Sequence, residues 1–188
     1  ELAQLAAAIG RVFSRPLLCA VSGLDGDRLD ASLRRLAEAQ LLFADPEHDS
    51  YTFKHALVQQ AAYDTLLKVK RQEYHRSIAL TLERDFAARA EAEPELLARH
   101  FSASGQEFVA TALRYWQKAA ERALSSSNNV EAIAHLTQAL ALASSFEPGR
   151  ERDLLELRFQ LSLAPAQMAI LGWPSLDVER TCTRAATL

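Results

Sequence analysis

Cysteine is nearly absent from this chain of 188 residues: Cys19 and Cys182 stand far apart, which excludes a disulfide framework or a zinc site built on paired cysteines. Cysteine usage of that kind fits a reducing, cytoplasmic setting. Glycine and proline number six each and aromatics make up 7%, against abundant Ala and Leu, so collagen-like and low-complexity classes are excluded and helix is favoured over sheet. No charge sign dominates. A formal charge of −3 gives no global attraction to nucleic acid or anionic lipid. Long apolar runs are missing too: the longest uncharged stretch, Phe159 to Leu176, contains Pro165, Pro174, Gln160 and Gln167. It makes a poor membrane span and predicts two buried helix segments around a loop, so no membrane partner is expected. Leu2 to Ile9 has no basic flank and no signal peptide is expected; both chain ends fall inside helical patterns, as in a piece of a longer protein.

Catalytic signatures are also lacking. There is no Gly-Lys-Ser/Thr, G-x-G-x-x-G, H-E-x-x-H or G-x-S-x-G, and the carboxylates are spread over helix faces. Neither catalysis nor a cofactor or metal held by this segment itself is expected. His48, His75, His100 and His135 lie on separate predicted elements and form no ligand set.

What is present is helical period with one interruption. Leu2, Leu5, Ala6 and Ile9 share a face closed by Gly10. Ser14 and Pro16 open a second helix, and Asp25 or Asp27 a third, with Leu29, Leu33, Leu36 and Ala37 at spacings of three and four. Leu41-Leu42-Phe43 and Tyr51-Thr52-Phe53 then read as strands around the polar turn Asp45 to Ser50. Three helices followed by a hairpin is the order of a winged-helix domain, predicted over 1–66. A helical connector follows over 67–105, with Tyr74, Ile78, Leu82 and Phe86 as one stripe and Lys68, Lys70, Arg71 and Arg76 as a solvated basic face. Residues 106–188 fit antiparallel, tetratricopeptide-like helix pairs. The first unit, about 113–148, puts Trp116 and Ala120 at the aromatic and small positions of one helix, and Ala132, Leu136 and Ala139 on its partner. The second takes Leu154, Leu155, Arg158, Leu161 and Leu163, an insertion at 164–175, then Val178, Cys182 and Ala185. Trp173, in that insertion, is either an exposed anchor or a loop plug.

Two functional readings concern the first segment. The predicted third helix carries Arg28, Arg34 and Arg35 against Asp25, Asp27, Asp30 and Glu38, and residues 1–66 hold six basic and nine acidic side chains. Phosphate neutralisation needs a basic surplus, so a protein-packing winged helix is favoured over a DNA-binding one. His55 follows the wing directly. Its ring either caps the next helix or fills a polar niche, or else stands at a helix start ready to donate to an anion.

Tyr51 to Leu67, YTFKHALVQQAAYDTLL, resembles the segment that ends the winged helix of bacterial STAND-type signalling ATPases. Ala8 to Phe13, Leu36 to Leu42, Arg71 to Ala79, Pro94 to Phe101, Tyr115 to Ala119 and Glu131 to Leu136 are similar to further parts of the same architecture. The resemblance is strongest to multidomain class III adenylate or guanylate cyclases. It implies a non-catalytic regulatory segment between an upstream ATPase domain, which would hold ATP or ADP with Mg, and a repeat array that takes a protein or small-molecule signal. It also implies that His55 senses bound ADP; Ala56 departs from the Asp of related switches. Transcriptional regulators sharing this middle region, or a protein-interaction scaffold, are the alternatives.

Overall fold

The computed structural model describes residues 1–188, mainly helical with one small antiparallel sheet, in two compact units, 1–88 and 89–188. The stretch 67–105, expected as a connector, is divided between them. No helix is long and apolar enough to cross a membrane.

In the first unit, α1 (Leu2–Ile9) buries Leu5 to Ile9, and the N–H of Gly10 closes it on the Ala6 carbonyl. β1 (Val12–Ser14) leads into α2 (Arg15–Ser22), where Pro16 occupies the first turn and costs no helical bond. Gly23, at φ 64°, ends α2 in the left-handed conformation that glycine adopts without strain. Asp25 then caps α3 (Gly26–Glu38), its carboxylate accepting from the Arg28 N–H at 2.9 Å, and Leu29 and Leu33 are fully buried.

β2 (Leu42–Asp45) and β3 (Ser50–Phe53) form the expected hairpin, but the sheet has a third strand. β1 pairs antiparallel with β3, Val12 opposite Thr52 and Ser14 opposite Ser50, so β3 is central in the order β1-β3-β2. Ser14 therefore belongs to a strand as well as preceding α2, and its side chain makes no cap bond. Phe13 and Phe53, 5.8 Å apart between ring centroids, anchor the sheet in the core. α4 (Ala56–Asp64) and α5 (Lys68–Asp85) both pack on α1. On α5 the buried face is His75, Ile78, Ala79, Thr81 and Leu82, so the expected stripe holds at Ile78 and Leu82 while Tyr74 and Phe86 stay half-exposed. Arg71 is no solvated charge: its guanidinium lies 4.3 Å from the Tyr63 ring centroid and donates to the Tyr63 and Leu66 carbonyls.

Beyond α6 (Ala87–Ala92), which crosses the unit boundary, α7 (Pro94–Ser102) starts at the expected proline break. Successive helices α8 (Val109–Ser125), α9 (Asn129–Ala143), α10 (Arg150–Leu171) and α11 (Leu176–Thr187) each pack on the one before. Asn128 makes the reversal between α8 and α9: its Oδ1 accepts from the Glu131 N–H and its Nδ2 donates to the Glu131 carboxylate at 2.6 Å. Ala98, Ala120, Ala139 and Ala143 are at most 1% exposed, and their small side chains let the helices approach closely around Trp116, Leu136, Phe159 and Leu163.

The C-terminal part differs from expectation in three ways. Residues 164–171 are no loop; α10 runs for 22 residues straight through Pro165. Proline removes one N–H and crowds the preceding turn, but packing of α10 on both α9 and α11 holds the helix across that defect. The buried face of α10 is Phe159, Leu163, Ala166 and Gln167, leaving Leu154 and Leu161 exposed. On α11, Thr181 is buried in place of the exposed Cys182, because its hydroxyl donates to the Gln167 side-chain oxygen at 2.8 Å.

Candidate functional site

His55 gets its place from the central strand. Phe53 ends β3 in the core, its N–H donating to the Arg11 carbonyl at 2.9 Å, and the Lys54 N–H donates to the Leu41 carbonyl at 3.0 Å. These bonds hold the chain extended up to His55, which remains in the β region at φ −128°, ψ 134° and is the N-cap residue of α4. Capping uses the backbone. The His55 carbonyl accepts from the N–H groups of Val58 at 3.0 Å and Gln59 at 3.3 Å, while the imidazole makes no cap bond and is exposed. The capping-ring reading is thereby corrected, and an exposed residue gives no support to a partly buried polar niche.

The surroundings are amphipathic. Lys54 Nζ donates to Gln40 Oε1 at 2.8 Å and lies 5.3 Å from the centroid of Phe43, a ring that is itself 55% exposed. In the first turn of α4, Leu57 is 82% exposed. Chemically, the arrangement offers an imidazole N–H beside the free amides of a helix start, a combination suited to an anionic oxygen.

The other histidines stay apart. His48 is exposed and bonded to Asp45 at 2.9 Å, a contact that holds the Asp45 carboxyl below its usual range. His75, His100 and His135 are buried on α5, α7 and α9, and no group of three or more His, Cys, Asp or Glu side chains converges. On α3, Arg28 pairs with Asp25 at 3.3 Å, and Arg15 of α2 makes a two-point ion pair with Asp30 at 2.6 and 2.9 Å. Trp173 is 77% exposed, an exposed side chain rather than a plug. One cluster has no signature in sequence: Arg114 and Lys118 of α8 meet Arg158 of α10 across a groove, and residues so far apart in the chain come together only through packing.

No protein-family model matches the chain, and no solved structure matches it. An uncharacterized protein of Rhizobium meliloti (strain 1021) is 27% identical over 183 residues, 96% of this chain. The chain spans under a fifth of that relative's length, 18%.

Proposed function

We propose that residues 1–188 are a non-catalytic relay within a multidomain signalling ATPase of the bacterial STAND type, coupling a signal received on helical repeats to a nucleotide switch that governs a nucleotide cyclase. In this reading the first unit is a winged helix with β2 and β3 as its wing, and α8 and α9 begin a tetratricopeptide-like array. An ATPase domain elsewhere in the cytoplasmic protein holds ATP or ADP with Mg, and His55 meets the bound ADP.

The observation that carries the reading is the exposed, uncapped ring of His55 at the end of a central strand anchored by Phe53. A rigid strand end positions an imidazole better than a mobile loop does, and nothing within the first unit uses its hydrogen-bonding capacity. The charge pattern supports a protein-packing role over a DNA-binding one, since Arg15 and Arg28 are already engaged by Asp30 and Asp25.

Mechanistically, a closed ADP form and an open ATP form interconvert. His55 adds a hydrogen bond to the closed form only, and a signal that binds the open form better shifts the population by its difference in affinity. In the intact protein, His55→Ala is expected to lower the fraction of copurified ADP and raise basal output. Unchanged occupancy and output remove His55 from the switch. The 188-residue chain alone is expected neither to hydrolyse ATP nor to make cyclic nucleotide, and turnover by the pure chain refutes the relay reading.

A further inference from the structure

The groove between α8 and α10, of about 380 Å³, is lined by Arg114, Tyr115, Gln117, Lys118, Glu121 and Arg158. Three cations thus face one carboxylate, on a protein whose net charge is −3. Two of the cations have no counter-ion. Arg114 donates only to the Thr111 hydroxyl, at a long 3.4 Å, and the Arg158 guanidinium is exposed and makes no ion pair. Lys118 pairs with Glu91 at 3.0 Å, but both side chains are more than half exposed, so the pair exchanges readily with a competing anion. The one carboxylate, Glu121, already accepts a hydrogen bond from Gln117. Tyr115 forms a stiff wall, its ring stacked on Phe101 at 5.6 Å.

Leu154 and Leu161, four residues before and three after Arg158, lie on the same face of α10 and are 57% and 61% exposed. A small anion would leave both leucines bare. A nucleic acid strand would find two free cations and a single ring, Tyr115, which stacks on Phe101 and is approached by Lys118 Nζ at 5.9 Å, so no row of open rings receives successive bases. An extended peptide carrying carboxylates between apolar side chains satisfies both the arginines and the leucines.

We propose that the α8–α10 groove docks an acidic peptide segment, with Arg114 and Arg158 binding its carboxylates and Leu154 and Leu161 covering its apolar side chains. This rests on the reading of the second unit as a signal-receiving array and names the chemistry of what it receives.

The test selects a randomised peptide library, about 12 residues long, on the 188-residue chain and scores the charge of what is retained. Peptides rich in Asp, Glu and Leu are expected to be enriched. The affinity of a selected peptide should fall several-fold between about 50 and about 200 mM salt, and at least about tenfold when its carboxylates become amides. Arg114→Glu with Arg158→Glu should cost about 100-fold and turn the preference towards Lys-rich peptides, with the circular dichroism of the chain unchanged. Leu161→Ser should weaken binding about threefold without altering the charge preference. Absence of acidic enrichment overturns the proposal. So does unchanged binding by the folded double variant, or equal competition by inorganic phosphate or a single-stranded oligonucleotide. ADP retention by the intact protein is untouched by this assay, so failure here and failure of the nucleotide-switch reading are separate results.

Discussion

The Tyr63 hydroxyl on α4 lies 2.8 Å from Nε2 of the buried His75 on α5, and Arg71 closes the same junction from above the Tyr63 ring. Burial raises the phenol's pKa, so the hydroxyl stays protonated through neutral pH. Tyr63→Phe removes one bond and should cost about 1 kcal/mol in urea unfolding. Arg71→Lys should cost at least as much, because an ammonium does not stack flat on the ring while reaching two carbonyls. Equal stability of both variants and the parent would mean that the α4–α5 junction is held by apolar contacts alone.

Trp116 is 6% exposed; its Nε1 donates to the Ser102 hydroxyl at 3.0 Å, and that hydroxyl donates in turn to the Ala98 carbonyl at 2.7 Å. The indole thus ties α8 to α7 while its ring fills the second unit's core. Trp116→Ala should cost about 3–5 kcal/mol. Trp116→Phe keeps most of the volume and leaves the serine its bond to the Ala98 carbonyl, so a loss of about 1–2 kcal/mol is expected. Thermal midpoints of the three proteins check the order.

Two ion pairs give the acid response a sign. Arg184 of α11 grips Glu156 of α10 at 2.6 and 2.7 Å, as Arg15 grips Asp30, and hydrogen bonding from each arginine holds the partner carboxyl below its ordinary range. A depressed folded-state pKa stabilises the fold above the unfolded value, 4.5 for Glu156 and 3.8 for Asp30, and the contribution disappears as pH falls through the folded value. Stability should therefore be flat in this respect near neutrality and decline below about pH 4.5. Glu156→Gln should lose under about 1 kcal/mol near neutrality and make the acid decline shallower. A variant whose decline is as steep as the parent's would remove this pair from the acid response.

Local chemistry was legible wherever one or two neighbours decide the outcome. Asp25 caps α3, Pro94 starts α7, and Leu29, Leu33, Ile78 and Leu82 fall on buried faces as their spacing predicts. β1 escaped notice because Val12 to Ser14 is too short to show alternation, and its partner residues, Ser50 to Thr52, lie far along the chain. On α10 the apolar residues Leu154 to Leu163 surround the helix, so spacing alone could not decide that Phe159 and Leu163 face inwards while Leu154 and Leu161 do not. The site divides in the same manner. The position of His55 at a helix start follows from the pattern around it, whereas the exposure of its ring depends on what packs over the end of α4.

Pro165 follows from the same contrast between local and tertiary terms. It is exposed inside α10, where proline is unfavourable relative to alanine by about 3 kcal/mol. Pro165→Ala should restore one helical hydrogen bond and stabilise the chain by about 1–3 kcal/mol, read as a rise in the thermal midpoint. No rise would mean that a bend at Pro165 is needed for α10 to pack on α9 and α11.

His55 separates folding from function. Its ring is exposed and its part in α4 is played by the backbone carbonyl, which any residue supplies. His55→Ala should therefore change the unfolding free energy of the chain by no more than about 0.5 kcal/mol. Phe53→Ala, two residues earlier and 1% exposed, should cost about 3–5 kcal/mol by opening the core beneath the sheet. If His55→Ala lowers ADP retention in the intact protein while stability stays at the parent level, the imidazole is acting on a ligand or partner. A stability loss approaching that of Phe53→Ala would instead make the ring a structural element and end its candidacy as a sensor.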